Sequence, residues 1–275
     1  MSGKLYVVGT PIGNLGDFSP RALETLQNCS FIAAEDTRVT LKLLNRFEIK
    51  KPLVSYYEHN IRERGQEILA RILAGEDCAV VTDAGMPCIS DPGEDLVRLC
   101  AENGVEAVVV PGPSAAVSAL AVSGLPTARF SFEGFLSVKR TSRMEHLEAV
   151  REDPRTLIFY EAPHKLVSTL ADMLEAFGDR RIALARELTK VHEEVRRTTL
   201  AAAAAHYAEN PPRGEFVLIV EGAPPKKTEP PDFREAVELT LGLAAQGASL
   251  SEAAKEAARR TGYKKGELYK AALKE

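Results

Sequence analysis

Short, wholly apolar runs alternate along the chain with longer stretches in which apolar and charged positions repeat every three or four residues. Leu5–Val8, Phe31–Ala34, Cys78–Val81 and Ala107–Val110 carry no charge and predict strands buried on both faces. Between them, Pro20–Gln27, Arg38–Arg46, Arg62–Ala74 and Glu94–Asn103 predict amphipathic helices. Ser19 followed by Pro20 supplies an N-cap and a proline at the first helical position, and Gly104 supplies a stop. Strand and helix in alternation imply a mainly parallel sheet covered by helices.

A second series follows Pro126. Ser131–Glu133, Thr156–Tyr160, Ile182–Ala185 and Glu215–Val220 predict strands, and Met144–Arg151, Lys165–Phe177 and Leu200–Tyr207 predict helices. The fold class expected is therefore α/β, with two α/β domains, residues 1–126 and 127–222, meeting near Gly124–Thr127. A Pro-rich, charged linker is expected over residues 223–231. Beyond it Asp232–Gln246, Ser251–Thr261 and Lys264–Leu273 predict a helical module, residues 232–275, with a helix-turn-helix outline around Thr261-Gly262-Tyr263.

Composition adds mostly exclusions. The chain has 275 residues, 45% hydrophobic and 27% charged, as in ordinary soluble proteins. No run approaches the roughly 18 consecutive apolar residues of a membrane span, and no secretory signal is recognised at the start. No membrane partner is expected. The four cysteines, Cys29, Cys78, Cys88 and Cys100, form no CxxC pair and lie near no histidine at ligand spacing, so neither a metal site nor a disulfide framework is expected. Free thiols fit a cytoplasmic protein. The net charge of −4 and pI near 5.9 do not announce a nucleic-acid binder.

Four Gly/Pro-rich loops follow predicted strands: Gly9–Asp17, Thr82–Gly93, Pro111–Ala116 and Tyr160–His164. Each should lie at the carboxyl edge of a sheet, where open α/β sheets bind ligands. There is no GxxxxGK[ST] and no GxGxxG, so a ligand with few or no phosphates fits best.

These segments carry a resemblance. Gly9-Thr10-Pro11-Ile12-Gly13-Asn14-Leu15, Ala34-Glu35-Asp36-Thr37-Arg38, Tyr57-Glu58-His59-Asn60, Asp83-Ala84-Gly85-Met86-Pro87 and Asp91-Pro92-Gly93 begin it. Pro111-Gly112-Pro113-Ser114-Ala115, Phe159–His164, Ala185–Lys190 and Gly214-Glu215-Phe216-Val217 complete it. Together they resemble the ribosomal RNA small subunit methyltransferase I family, 16S rRNA cytidine 2′-O-methyltransferases of the tetrapyrrole methylase-like group. The resemblance implies S-adenosylmethionine bound in a cleft between two domains of the tetrapyrrole methylase type, a homodimer, and 16S rRNA of the small subunit's decoding region as partner. It places the donor at Pro11, Asp83, Ala84, Gly85, Met86, Pro87, Ile89, Asp91, Ser114 and Ala115, with Tyr160, Glu187, Leu188 and Glu215 from the second domain.

Transfer from a sulfonium to a ribose hydroxyl needs alignment and a base. The candidate bases are Glu35, Asp36, His59, Glu161, Glu187 and Lys190, and the expected order is Asp36, Glu35, His59, Lys190. Against these stand blander readings. Asp36 can cap the following helix and pair with Arg38, His59 can be merely half-exposed, and Lys190 needs a depressed pKa. RNA is expected at Lys139-Arg140 with Arg143, and at Arg180-Arg181, Arg196-Arg197, Arg259-Arg260 and Lys264-Lys265, the loop Ser137–Arg143 foremost. A corrin-precursor methyltransferase and a helix-turn-helix regulator with an α/β sensor are the competing readings; Lys264-Lys265-Gly266-Glu267 is thin for base readout.

Overall fold

Strand β2 (Phe31–Ala34) shows how the first sheet is built. Successive side chains of a strand point to opposite faces. Phe31 and Ala33 enter one apolar cluster, and Ile32 and Ala34 enter another on the opposite face. Strand β4 (Cys78–Val81) divides the same way. A charged residue at any of these positions would be buried, so the strands read as unbroken apolar runs.

The computed structural model describes residues 2–224 and 232–275. The expected linker lies outside the described residues from 225 to 231. Residues up to Ala223 form one compact unit and those from Pro224 a second.

In the first unit, β1 (Leu5–Val8), β2, β3 (Leu53–Ser55), β4 and β5 (Ala107–Val110) form an all-parallel sheet in the order β3-β2-β4-β1-β5. Helices α1 (Pro20–Asn28) and α2 (Thr37–Arg46) cover one face through Ala22, Leu26 and Leu44. Helices α3 (Ile61–Leu73) and α4 (Glu94–Glu102) cover the other through Ile68, Ile72, Leu96 and Cys100. Ser19 caps α1 as expected, accepting from Ala22 N–H. One expectation needs correction. Strand β5 is not buried on both faces, because it closes the sheet and leaves Val109 exposed.

Helix α5 (Ala115–Ser123) leads into a second sheet of order β6-β7-β10-β8-β9. Its strands are β6 (Phe130–Phe135), β7 (Thr156–Glu161), β8 (Arg181–Arg186), β9 (Glu194–Thr199) and β10 (Phe216–Val220). Only β6 and β7 pair in parallel; β10 runs antiparallel to β7 and β8, and β8 to β9. Helices α6 (Arg140–Val150), α7 (Pro163–Phe177) and α8 (Leu200–Glu209) cover one face through Leu147, Leu170 and Ala203. Helix α5 covers the other: Ala116, Ala119 and Leu120 pack on Ile158, Ala183, Val217 and Ile219. In sequence α5 precedes Pro126, but in packing it belongs to the second sheet.

The second unit holds α9 (Phe233–Ala245), α10 (Leu250–Thr261) and α11 (Lys265–Ala272) around Ala236, Val237, Ala254, Ala257 and Leu268. Capping boxes start α9 (Asp232 with Glu235) and α10 (Ser249 with Glu252). Gly262, at φ +80°, ends α10.

Two glycines set the mouth of the first sheet. A Cβ on Gly9 would lie 2.7 Å from Gly112 Cα, and one on Gly112 would lie 2.8 Å from Gly9 Cα. Gly9→Ala and Gly112→Ala should each destabilise the protein by about 1–3 kcal/mol, as overpacking does. The double variant should cost less than the sum, since one displacement relieves both clashes. Urea unfolding of the three variants checks this; additive or negligible losses refute it.

Candidate functional site

Loops from both sheets converge on one cavity of about 470 Å³. From the first sheet come Ile12 beyond β1, Glu35 at the end of β2 and the loop after β4. Ser114 and Ala115, at the start of α5, add a helix N-terminus. From the second sheet come Phe135 at the end of β6, Tyr160 to Pro163 at the end of β7, Glu187 to Lys190 after β8, and Glu215 to Val217 where β10 begins. The size suits a nucleoside-sized ligand.

The loops are fixed largely by backbone. Thr10 N–H donates to Gly85 O at 2.9 Å and Gly85 N–H to Thr10 O at 3.1 Å, joining the β1 and β4 loops. The Thr10 hydroxyl adds a bond to Thr82 O. Tyr160 Oη accepts from Ala116 N–H at 3.2 Å, tying β7 to the first turn of α5. Non-glycine residues with positive φ concentrate here. Cys88 (72°) and Ser90 (65°) lie in one wall loop, and Glu187 (50°) and Thr189 (65°) in the other. Such residues cost about 1–3 kcal/mol each and persist where the surroundings hold them, commonly at functional sites.

The charges in the wall are one-sided. Lys190 is its one basic side chain among the described residues, and it lies 3.0 Å from Glu187 and 2.8 Å from Glu215. Burial works against its charge, but its bonds to those carboxylates raise its pKa. Glu161 is buried and pairs with Lys165 at 3.0 Å. That leaves Glu35, Asp83 and Asp91 facing one another without a cation in the wall. Burial first, then the charge of Glu35, pushes Asp91 up to about 6, with Asp83 adding and a bond from Thr82 opposing. Asp83 is raised for the same two leading reasons. Glu35 accepts from the Thr82 hydroxyl at 2.6 Å. Among the described residues no group of three or more His, Cys, Asp or Glu is arranged to hold a metal ion. An organic cation fits this wall better than an anion does.

The structure distributes the expected residues unevenly. Asp83, Ala84, Gly85, Met86, Ile89, Asp91, Ser114, Ala115, Tyr160, Glu187, Leu188 and Glu215 line the cavity, as do Glu35 and Lys190. Pro11 and Pro87 do not. Pro87 is buried behind the loop and Pro11 is half-buried, so both shape the backbone instead. Asp36, ranked first as base, is corrected. It N-caps α2, accepts from Arg38 N–H at 2.8 Å, pairs with the Arg38 guanidinium at 2.6 Å, and is held down to about 2 by those bonds. His59 is exposed outside the cavity, edge-on to the Tyr57 ring. Glu161, weighed as a base but left out of the ranking, also enters the wall, and Phe135 and Ile12 do so unassigned beforehand. Ile12 sits inside a motif already quoted, whereas Phe135 carried no signal beyond an apolar position near a strand.

The basic clusters are largely occupied. Arg143 is 5% exposed and pairs with Asp172 at 2.6 Å, so it is withdrawn as an RNA contact. Arg140 binds Asp172 and Glu175, Arg181 binds Glu221 and Arg196 binds Glu194. Arg180 donates to Arg151 O, and Arg197 to the carbonyls of Val122 and Ser123 at the end of α5. In the second unit Arg259 and Arg260 share Glu256, Lys264 faces Glu267, and Lys265 donates to Ser251.

The tetrapyrrole (corrin/porphyrin) methylase family model matches residues 4–204, and a model described as the RsmI C-terminal HTH domain matches residues 232–275. A Synechocystis sp. protein named ribosomal RNA small subunit methyltransferase I is 47% identical over 274 residues, covering 98% of each chain. A Pseudomonas aeruginosa protein of that name is 47% identical over 275 residues, 99% of this chain and 97% of its own. A Thermotoga maritima protein of that name is 48% identical over 220 residues, 80% of this chain and 99% of its own. Two solved structures share the fold at low identity. Uroporphyrin-III-C-methyltransferase from Thermus thermophilus has a TM-score of 0.57 at 22% identity, over 80% of this chain and 94% of that one. Diphthine synthase has a TM-score of 0.63 at 15% identity, over 80% and 90%. With relatives this similar over its full length and a family model over most of it, the chain belongs to the ribosomal RNA small subunit methyltransferase I family, on the tetrapyrrole methylase fold.

Proposed function

We propose that this protein uses S-adenosylmethionine to methylate the ribose 2′-hydroxyl of a cytidine in 16S rRNA, in the decoding region of the small ribosomal subunit. The observation that carries the donor is the cleft's uncompensated trio Glu35, Asp83 and Asp91, which suits a cationic ligand. The acceptor is supported by the name shared by the full-length relatives. A corrin-precursor acceptor has only fold-level likeness behind it, and a DNA regulator leaves the acidic cleft without a role. The reading includes a cytoplasmic homodimer. Among the described residues no helix is long and apolar enough to cross a membrane.

The donor fits this wall in three ways. The three carboxylates face its positive charge. The start of α5 offers N–H groups to its carboxylate, and Ser114 there makes no capping bond of its own. Ala84, Gly85, Met86 and Leu188 give an apolar surface for a purine. The bound donor supplies an already activated methyl group, so the protein's work is alignment and proton removal. Of the four candidate bases, Glu35 and Lys190 remain in the wall. Lys190 is held protonated by Glu187 and Glu215 and serves as a cation toward the substrate's phosphates. Glu35 takes the hydroxyl proton. The two expected domains, residues 1–126 and 127–222, both contribute residues to the cleft, with α5 packed on the second sheet. Arg259, Arg260 and Lys264 contact RNA by exchanging surface ion pairs that are each worth about 0–1 kcal/mol, and Lys265 by giving up its bond to Ser251.

Three outcomes test this. Labelled methyl groups should enter assembled small subunits and map by mass spectrometry to one ribose; incorporation into a corrin precursor but not into rRNA refutes the reading. Glu35→Gln should lower the single-turnover rate about 10²–10⁴-fold while donor affinity falls far less. An unchanged rate removes Glu35 as base.

The third concerns pH. Asp91's pKa rises on folding from 3.8 to about 6. The folded state therefore holds the extra proton, and the group's contribution to stability falls as pH rises across that window. Asp91→Asn should thus raise Tm more at about pH 8 than at about pH 5. A cationic donor favours the ionised form, so its affinity should rise through about pH 6, with proton release by calorimetry. An Asp91→Asn variant that keeps the same pH profile contradicts the assignment.

A further inference from the structure

Strand β6 carries a bulge against β7 between Phe132 and Gly134. Gly134 has φ +67°, and a Cβ there would lie 3.4 Å from Ser90 Oγ of the loop after β4. A bulge adds a residue and re-aims the side chain that follows. That side chain is Phe135. It lines the cavity, leans on the Tyr160 ring at 5.4 Å between centroids, and is still 57% exposed. Tyr160 is backed on its other contact by Phe132, edge-on at 5.0 Å.

The chain beyond Phe135 is held unusually tightly for an exposed loop. Lys165 Nζ donates to Leu136 O at 3.2 Å and lies 5.7 Å from the Phe135 ring centroid. Arg143 Nη1 donates to Ser137 O at 2.9 Å and to Val138 O at 3.1 Å. Both cations are themselves fixed. Lys165 pairs with buried Glu161, which also accepts from Thr169 and Ala162 N–H, and Arg143 pairs with buried Asp172. Three consecutive carbonyls are thus satisfied from below, and two ion pairs brace a loop whose upper surface is Phe135 and Val138, the latter 78% exposed. The bracing holds Phe135 in one place, and an exposed aromatic ring fixed at the border of a cavity is suited to contact a ligand there.

We propose that Phe135 is a stacking platform for the nucleobase of the target nucleotide, holding it outside its own stack while its ribose reaches the cleft. The inference rests on RNA being the acceptor and adds the residue that positions it. Base-on-aromatic stacking tolerates any base, so it orients the nucleotide without choosing its identity. It also gives the loop from Ser137 to Arg143 a role that does not depend on charge, since Arg143 braces the loop and does not meet the RNA.

The test compares the full-length protein with Phe135→Ala, Phe135→Leu and Phe135→Tyr, using assembled small subunits as acceptor and titrated S-adenosylmethionine. Phe135→Ala should raise KM for the subunits about 5- to 100-fold, the range set by loss of one stacked base. Donor affinity by calorimetry should stay within about threefold, because the platform sits at the rim. Phe135→Tyr should restore KM and Phe135→Leu should not, since leucine keeps bulk without a flat π-face. Four outcomes overturn the proposal: an unchanged KM in Phe135→Ala, full rescue by Phe135→Leu, failure of Phe135→Tyr to rescue, or a donor affinity that falls in parallel with KM. If the intact protein methylates no ribosomal RNA, the functional reading falls and the platform with it. If the intact protein is active and Phe135→Ala matches it, the platform alone falls.

Discussion

The cleft depends on backbone meeting backbone. Thr10 and Gly85 exchange N–H···O bonds, and Gly9 and Gly112 pass within contact distance of each other. These contacts lock the loops beyond β1, β4 and β5 into one rim before any side chain is considered. Glycine at 9 and 112 follows from distance, because nothing larger fits between the two chains. Tyr160 extends the lock to the second sheet, its hydroxyl accepting from the first turn of α5. Four left-handed non-glycine residues then sit in the loops from both sheets, held by that frame. The stability lost at those residues is offset by the cores beneath, where strands such as β10 are buried along their whole length.

Charge is arranged around that frame with equal consistency. Glu161 and Glu187 also face the cleft, but Lys165 and Lys190 neutralise them. Glu35, Asp83 and Asp91 have no such partner, and Asp91 answers by holding its proton to about 6. A site meant to remain empty would gain stability by pairing or deleting these groups. Leaving them unpaired costs folding energy that a bound cation returns.

Much of this was legible from the chain, for identifiable reasons. Strands buried on both faces must be wholly apolar, and β1, β2 and β4 stood out accordingly. Helix α5 did not. Its Ala-Ala-Val-Ser-Ala-Leu-Ala-Val-Ser run has no polar face: Ala116, Ala119 and Leu120 pack on the second sheet, and the outer face carries exposed Val117 and Val122. Strand β9 was hidden by Arg196 and Arg197, which suit an edge strand but read as a basic cluster. Partners far apart in sequence were the main blind spot. Arg143 looks like a surface cation until Asp172 is found beneath it, 29 positions away. Glu35 and Asp36 are neighbours of the same type, yet one faces the cleft and the other turns to cap α2. Only the direction of the chain as it leaves β2 distinguishes them.

The distribution of charge between the two units completes the argument. From Pro224 onward there are ten Lys and Arg against eight Asp and Glu, and residues 1–223 hold 25 against 31. The body that carries the cleft is therefore acidic, and most of its arginines pair with nearby carboxylates or carbonyls, several of them at the surface. A polyanion approaching it meets net repulsion, screened beyond about 8 Å at physiological salt. With RNA as the proposed acceptor, the net positive charge of the second unit favours attraction there, and its arginines hold exposed pairs worth little each. Contact at the cleft has to come from short-range, uncharged surface together with Lys190. On that proposed reading, long-range attraction and short-range geometry are separate demands, and net positive charge is found only in the second unit.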